Sequence, residues 1–239
     1  MLLQKPRSPL ETYNDLDGKV VNFFRVLRDR PDELIRKIRL TPWARAEYEL
    51  SLEACEGEVE RARRFYVLSS MSINGSTDSA KSNWQHWRDW IDSHHKSPEM
   101  QMGDIENVYC VAYRLQHVQI EQCDYTDIVQ TYDHINSLVY FDPPYVTETR
   151  AQSKRYALEW TDVQHTETAA LLHQCQGYVV VSGYACDLYA ELYEAHGWKR
   201  VDKEAQTNSG GKRIESLWLS PRTVGALALP RQAAMELGA

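Results

Sequence analysis

The sequence predicts an α/β fold, a sheet with helices on both faces, and three observations carry that prediction. Between Val118 and Leu219 short apolar runs alternate with stretches of helical spacing. Three of these runs stop abruptly on polar residues or glycine, at Cys123-Asp124, Asp142 and Ser182-Gly183, as core strands do where they meet loops. The helical stretches carry their own start signals, among them Thr161-Asp162-Val163-Gln164, which has the form of a capping box.

Taken in order, Leu10 to Tyr13 reads as a short strand ending at Asn14-Asp15. Asp17 then N-caps a helix whose apolar face is Val20, Phe23, Phe24 and Leu27. Pro31 occupies a favoured first-turn position, and Leu34, Ile35 and Ile38 continue as a second helix. Helical spacing resumes from Trp43 toward Leu50 and again from Glu58 to Val67. From about Ser69 to Asp104 the character changes. A polar, turn-rich stretch is followed by Trp84, Trp87 and Trp90, whose spacing of three sets the indoles on one side of a short helix. That stripe is either a small satellite core or part of a recognition surface. His86, His94 and His95 have no carboxylate or cysteine at helical ligand spacing, so no metal site is expected there.

Val118 to Gln122 reads as a strand ending at Cys123-Asp124, and Leu138 to Phe141 as a buried parallel strand. The helix opened by Thr161 runs through Leu171 and Leu172. Tyr178 to Val181 is a buried strand, and Asp187 to His196 a helix stopped by Gly197. Trp198 to Ala205 and Arg213 to Leu219 form a closing hairpin across Gly210-Gly211. After Pro221 the Ala- and Leu-rich tail predicts no element. The expected organisation is a core over 1–68 and 105–221, an insertion over 69–104 and a tail over 222–239.

At 239 residues the chain suffices for one large domain, or a core with a sizeable insertion. No apolar run approaches the ~20 residues of a membrane span, and the N-terminus lacks the charged-then-apolar order of a signal peptide. The five cysteines, Cys55, Cys110, Cys123, Cys175 and Cys186, are odd in number and contain no Cys-x-x-Cys pair. They read as reduced core thiols of a cytoplasmic protein, not as a disulfide or zinc framework. The net charge of -7 argues against a general nucleic-acid binder. Local clusters offset it: Arg61, Arg63 and Arg64; Arg150, Lys154 and Arg155; Lys199, Arg200 and Lys203; Lys212 and Arg213.

The most specific signal is Asp142-Pro143-Pro144-Tyr145 directly after the Leu138–Phe141 run. Neither proline donates a ladder hydrogen bond, so the strand ends at Asp142. A carboxylate, a stiff turn with free carbonyls and an exposed ring then meet at the carboxyl end of a strand, where open α/β sheets bind ligands. Methyl transfer to an exocyclic amino group needs such a cluster. The amine's lone pair is delocalised into the base; the Asp142 carboxylate and Pro143 carbonyl, holding both N–H bonds, turn it toward the incoming methyl. Tyr145 offers a face for the base to stack on.

The tetrad resembles the catalytic motif of amino-group DNA methyltransferases, and from about Leu3 to Pro221 the chain resembles their Dam-like adenine-N6 class. The resemblance also rests on Tyr13-Asn14-Asp15-Leu16-Asp17, Arg63-Arg64-Phe65-Tyr66, Val118 to Asp124-Tyr125, Ser182-Gly183-Tyr184 and Lys212-Arg213, in the order the family uses. It implies the Rossmann-like sheet of S-adenosylmethionine-dependent methyltransferases with a helical and loop target-recognition insertion. It also implies methylation of adenine N6 in double-stranded DNA, and a catalytic role for Asp142, Pro143, Pro144 and Tyr145. Cofactor contacts fall on Asp15, which otherwise simply caps the following helix, on Asp124 and on Asp142. Arg150, Lys154 and Arg155, just after the tetrad, are candidates for DNA phosphates.

Family members carry a Pro-Phe-x-Gly-Gly-Gly-like loop upstream of the segment that here begins Met1-Leu2-Leu3-Gln4-Lys5, and this chain has no glycine before Asp15. The expectation is an N-terminally shortened member, from a late start, a natural truncation or a split enzyme with a separate N-terminal fragment. A cognate restriction nuclease is a second candidate partner. Two other readings stand beside the enzyme: a catalytically impaired DNA-binding remnant, and a methyltransferase acting on RNA or on a protein amide. Amide methylation usually goes with Asn where this chain has Asp142.

Overall fold

The structure, a computed structural model, describes residues 2–72, 84, 105–146, 160–206 and 212–228. Arg150, Lys154 and Arg155, the three histidines and most of the 69–104 segment lie outside the described residues. The chain divides into two compact units, Met1–Asp124 and Tyr125–Ala239.

In the first unit β1 (Thr12–Asn14) pairs in parallel with β2 (Gln119–Glu121), Tyr13 facing Ile120. Around them stand α1 (Gly18–Asp29), α2 (Pro31–Arg39), α3 (Arg45–Leu52), α4 (Glu58–Met71) and α5 (Ile105–Leu115). As the sequence predicts, Asp17 caps α1 by accepting from Lys19 N at 2.8 Å, and Pro31 opens α2. The α1 face that is buried is Val21, Phe23, Val26 and Leu27, rotated from the expected one; Val20 and Phe24 are only partly covered. Phe23, Val26 and Leu27 join Leu34, Ile35, Ile38, Val59, Ala62, Leu115 and Val118 in one core. Helix α5 was not expected, although Ile105, Val108, Val111, Ala112 and Leu115 follow helical spacing directly behind Asp104.

Trp84 does not extend a tryptophan helix. It makes a lone antiparallel β-bridge with Ser72 and packs its ring 5.8 Å from both Trp43 and Tyr48. With Val67, Leu68 and Met71 they form a second small core in this unit, so Trp84 has the satellite-core role; Trp87 and Trp90 lie outside the described residues.

The second unit contains α6 (Tyr125–Tyr132), β3 (Leu138–Phe141), α7 (Asp162–His173), β4 (Tyr178–Gly183), α8 (Asp187–Leu192), a 3-10 turn (Glu194–His196), β5 (Lys199–Gln206), β6 (Lys212–Leu219) and α9 (Pro221–Ala228). Its sheet has the order β3-β4-β6-β5, parallel between β3 and β4 and antiparallel elsewhere. The described strands thus form two sheets, because β1 and β2 are three residues each and pair only with one another.

Thr161 and Gln164 form the predicted capping box, and Gly197, at φ 79°, ends the 3-10 turn that finishes the α8 segment. One face of the sheet is closed by Val179, Val181 and Trp218 packed on Ala169, Leu172, Tyr189, Tyr193 and Trp198. Trp218 is wholly buried, its ring edge-to-face on Tyr189 at 4.9 Å. Gly183 is required there: a Cβ would stand 2.8 Å from the Tyr189 ring.

Three expectations are corrected. Strand β3 is not buried on both faces, since Leu138 and Tyr140 are exposed while Val139 and Phe141 pack on the core. Residues Pro221–Ala228, where the sequence predicts no element, form a helix anchored by the Thr223 hydroxyl, which lies 3.1 Å from both the nitrogen and the oxygen of Val179. No cysteine is fully buried, none is in a disulfide, and Cys110 is exposed. Burial still pushes the Cys175 thiol up to about 11, so it stays protonated. Among the described residues no helix is long and apolar enough to cross a membrane.

Candidate active site

The tetrad emerges from β3. Phe141 faces Val181 in the parallel ladder, so one residue further along, Asp142 just past β3 lies beside Ser182 of β4. Asp142 is exposed, Pro143 buried, and Pro144 and Tyr145 partly buried. The Ser182 hydroxyl lies 2.7 Å from Asp142 Oδ1 and 3.2 Å from the Phe141 carbonyl oxygen. The Tyr145 ring meets Tyr184 edge-to-face, with centroids 4.8 Å apart and planes at 80°, so it is less exposed than the motif alone suggests. Val146, Tyr184, Cys186, Asp187, Arg200 and Asp202 line a cleft of about 640 Å³ beside this end of the sheet.

Beneath the site, Phe141 packs edge-to-face on Tyr125 at 5.3 Å, and Trp160 lies 5.3 Å from Tyr125 and 6.0 Å from Phe141. The Tyr125 hydroxyl lies 2.9 Å from the Thr168 hydroxyl. Tyr125 is thus part of the packing that supports β3. The Tyr189 hydroxyl, 3.1 Å from His165 Nδ1, is raised above the ordinary tyrosine range by burial and stays neutral.

The first unit carries the other candidates. The Asn14 side chain pins the ends of β1 and β2 together, donating to the Cys123 carbonyl at 3.0 Å and accepting from Cys123 N at 3.1 Å. Asp15 follows, half-buried, its Oδ1 accepting from Asp17 N and its Oδ2 from the Tyr13 hydroxyl, each at 2.9 Å. A carboxylate has about four lone-pair sites, and these bonds use two. Asp15 therefore braces the start of α1 and keeps acceptor capacity that fits a pair of ribose hydroxyls. Asp124, just past β2, is exposed. The two glycines with positive φ among the described residues, Gly57 and Gly197, serve helix termini.

Three arginines from two basic clusters singled out from sequence, Arg63, Arg64 and Arg200, are committed internally. Arg63 is buried and bridges Glu60 at 2.7 Å and Glu47 at 2.8 Å, while Arg64 binds Glu60 at 3.0 Å and the Leu50 carbonyl at 2.7 Å. The Arg63 hydrogen bond, opposed by burial and helped by Arg64, holds Glu60 down to about 2. Arg200 is likewise spent on Glu194 and Asp202, at 3.1 Å each.

Sequence reasoning assigned no role to Ser182, Asn14 or Tyr184. The available signal for Ser182 was a hydroxyl and a glycine ending the run Val179-Val180-Val181.

The mixed α/β architecture, with a parallel strand pair ending in an acid–proline–proline–aromatic turn, is consistent with a methyltransferase fold. The family model for D12 class N6 adenine-specific DNA methyltransferases matches residues 4–208, and the chain belongs to that family. Its activity is therefore that of an enzyme methylating adenine N6 in DNA; the remnant, RNA and protein-amide readings are not favoured.

Proposed function

We propose that this protein methylates adenine N6 at specific sites in double-stranded DNA with S-adenosylmethionine as donor, and that Asp142, Pro143, Pro144 and Tyr145 hold the target base. The observation that carries this reading is the placement of Asp142: exposed, just past the carboxyl end of β3, with one carboxylate oxygen anchored by the neighbouring strand. Adenine N6 is out of reach inside a duplex, so the base is flipped out of the stack. Asp142 and the Pro143 carbonyl accept the two N–H bonds, which frees the nitrogen lone pair and stabilises the charge that develops on it. Pro144 stiffens the turn. Tyr145 stacks on the base, worth ~1–3 kcal/mol by analogy with other base–aromatic contacts. The donor supplies an electrophilic methyl group. Asp15, Asp124 and Asp142 are the residues that would contact the donor, Asp15 by accepting from its ribose hydroxyls.

Arg150, Lys154 and Arg155 contact phosphates, and the polar stretch Ser69 to Asp78 selects the site. A glycine-rich N-terminal fragment acting as a separate chain would cradle the donor's methionine end by close backbone approach. A cognate restriction nuclease would share the recognition sequence. Co-purification from a cytoplasmic extract tests both partners.

The test is transfer from tritiated S-adenosylmethionine to DNA, RNA and protein in parallel, with the methylated nucleoside identified by mass. Label confined to N6-methyladenine in DNA is expected; label in RNA or protein alone defeats the reading. For the cofactor, titration calorimetry should detect binding that Asp15→Ala weakens. Equal affinity of the two proteins would remove Asp15 from the site.

A further inference from the structure

An aspartate in a turn is commonly held by a backbone N–H two residues on. Asp142 has no such partner, because Pro143 and Pro144 carry no N–H. The sequence that stiffens the turn thus strips the carboxylate of its usual local donor, and an exposed carboxylate without one samples several rotamers. The missing donor comes from the next strand. Ser182 is 4% exposed, on β4, with its hydroxyl 2.7 Å from Asp142 Oδ1. It also lies 3.2 Å from the Phe141 carbonyl oxygen. A serine hydroxyl has one proton to give, and the shorter contact, to an ionised oxygen, is the stronger one.

We propose that Ser182 is a positioning residue for methyl transfer: its hydroxyl donates to Asp142 Oδ1, fixes the carboxylate, and reserves Oδ2 for the amino group of the target adenine. This rests on the reading of Asp142 as the group that holds the amine.

Two features make the arrangement specific. The parallel register Phe141↔Val181 fixes which β4 residue reaches Asp142, so the bond is set by the backbone and not by a flexible arm. Residue 183 must be glycine against Tyr189, which locks the β4 end in place. The carboxylate is therefore oriented before substrate arrives, and no rotamer search is spent in the reactive complex.

The experiment measures single-turnover methyl transfer and KM for DNA in Ser182→Ala, Ser182→Cys and Ser182→Thr, each alone and in an Asp142→Ala background, with thermal melting of every variant. Removing the donor in Ser182→Ala should lower kcat about tenfold or more with KM for DNA and melting temperature little changed. Ser182→Cys, similar in size but a weak donor, should behave like Ser182→Ala. Ser182→Thr, which keeps the hydroxyl, should recover kcat to within about threefold of the native enzyme. In the Asp142→Ala background, Ser182→Ala should cost nothing further, since the group it positions is gone.

A native kcat in Ser182→Ala overturns the proposal, as does an equal loss with and without Asp142. So does a loss that follows melting temperature alone, which would assign the proton to the Phe141 carbonyl. Native activity in Asp142→Ala itself would instead overturn the reading of the tetrad, an outcome read directly from the single variant.

Discussion

At the scale of single residues, the acids of this protein have separate duties. Asp142 is exposed just past the end of β3, so its replacement should cost chemistry and little stability. Asp142→Ala is expected to lower methyl transfer by at least about a hundredfold, comparable with removing one preorganised polar group. Its melting temperature should stay close to native, as for other exposed positions. Parallel rate and melting measurements on purified enzyme check both halves. Glu11 is the opposite case. It is buried, accepts from Ser8 N, and is clasped by Lys5 and Arg114. The Arg114 hydrogen bond, opposed by burial and aided by Lys5, holds its carboxyl down to about 2 from an ordinary 4.5. A carboxyl depressed on folding contributes stability that is full above about pH 4.5 and lost as pH falls toward 2. Glu11→Gln should therefore lower stability at neutral pH and flatten the acid limb of a denaturation curve over that window. An unchanged acid limb would show that the clasp does not control it.

At the scale of elements, each helix or strand near the tetrad is fixed by an identifiable device. The box at Thr161 sets the start of α7, which supplies Thr168 to Tyr125 and Leu172 to the core. Thr161→Ala should cost about 1 kcal/mol, read as a lowered denaturation midpoint with an unchanged denaturant slope. The start of β4 depends on close approach. A Cβ at residue 177 would lie 2.7 Å and 2.8 Å from the carbonyl oxygens of Ser137 and His134. These are backbone atoms, so Gly177→Ala has to displace either the turn that leads into β3 or the start of β4. It should destabilise more than the cap variant and also slow methyl transfer, because the register that brings Ser182 to Asp142 begins there. Normal transfer by a destabilised Gly177→Ala protein would show that the strand ends tolerate the shift.

At the scale of the whole molecule, charge is the unusual property. An acidic chain, net -7, acts on a polyanion, while several of its arginines are tied into internal ion pairs. DNA attraction must then come from a few local cations, and Arg150, Lys154 and Arg155 carry that proposal. Each phosphate contact releases about one counterion, so replacing Arg155 by alanine should reduce the slope of log affinity against log salt by roughly 1. The weakening should be nearly the same for cognate and unrelated duplexes. A loss restricted to the cognate sequence would mean that the residue reads bases. Exchanging Ser69 to Asp78 is expected to do the reverse, altering which sites are methylated while salt dependence stays the same.

What the sequence determined by itself was whatever depends on neighbours along the chain. Asp17 as a cap, Pro31 as a helix start, the Thr161 box, the Leu138–Phe141 strand with its forced end at Asp142, and the β5–β6 hairpin all follow from local rules, and the structure contains each of them. The motif order pointed to the adenine-N6 methyltransferase family for the same reason, since it is written in consecutive residues. Tertiary structure decided what depends on residues far apart. Arg63 and Arg64 looked like a basic patch until Glu47 and Glu60 were folded against them. Tyr145 looked exposed until Tyr184 met its ring. The partner of Asp142 lies 40 residues away on β4. A hydroxyl ending a run of valines has no visible purpose in one dimension, because only strand pairing selects which carboxylate it touches.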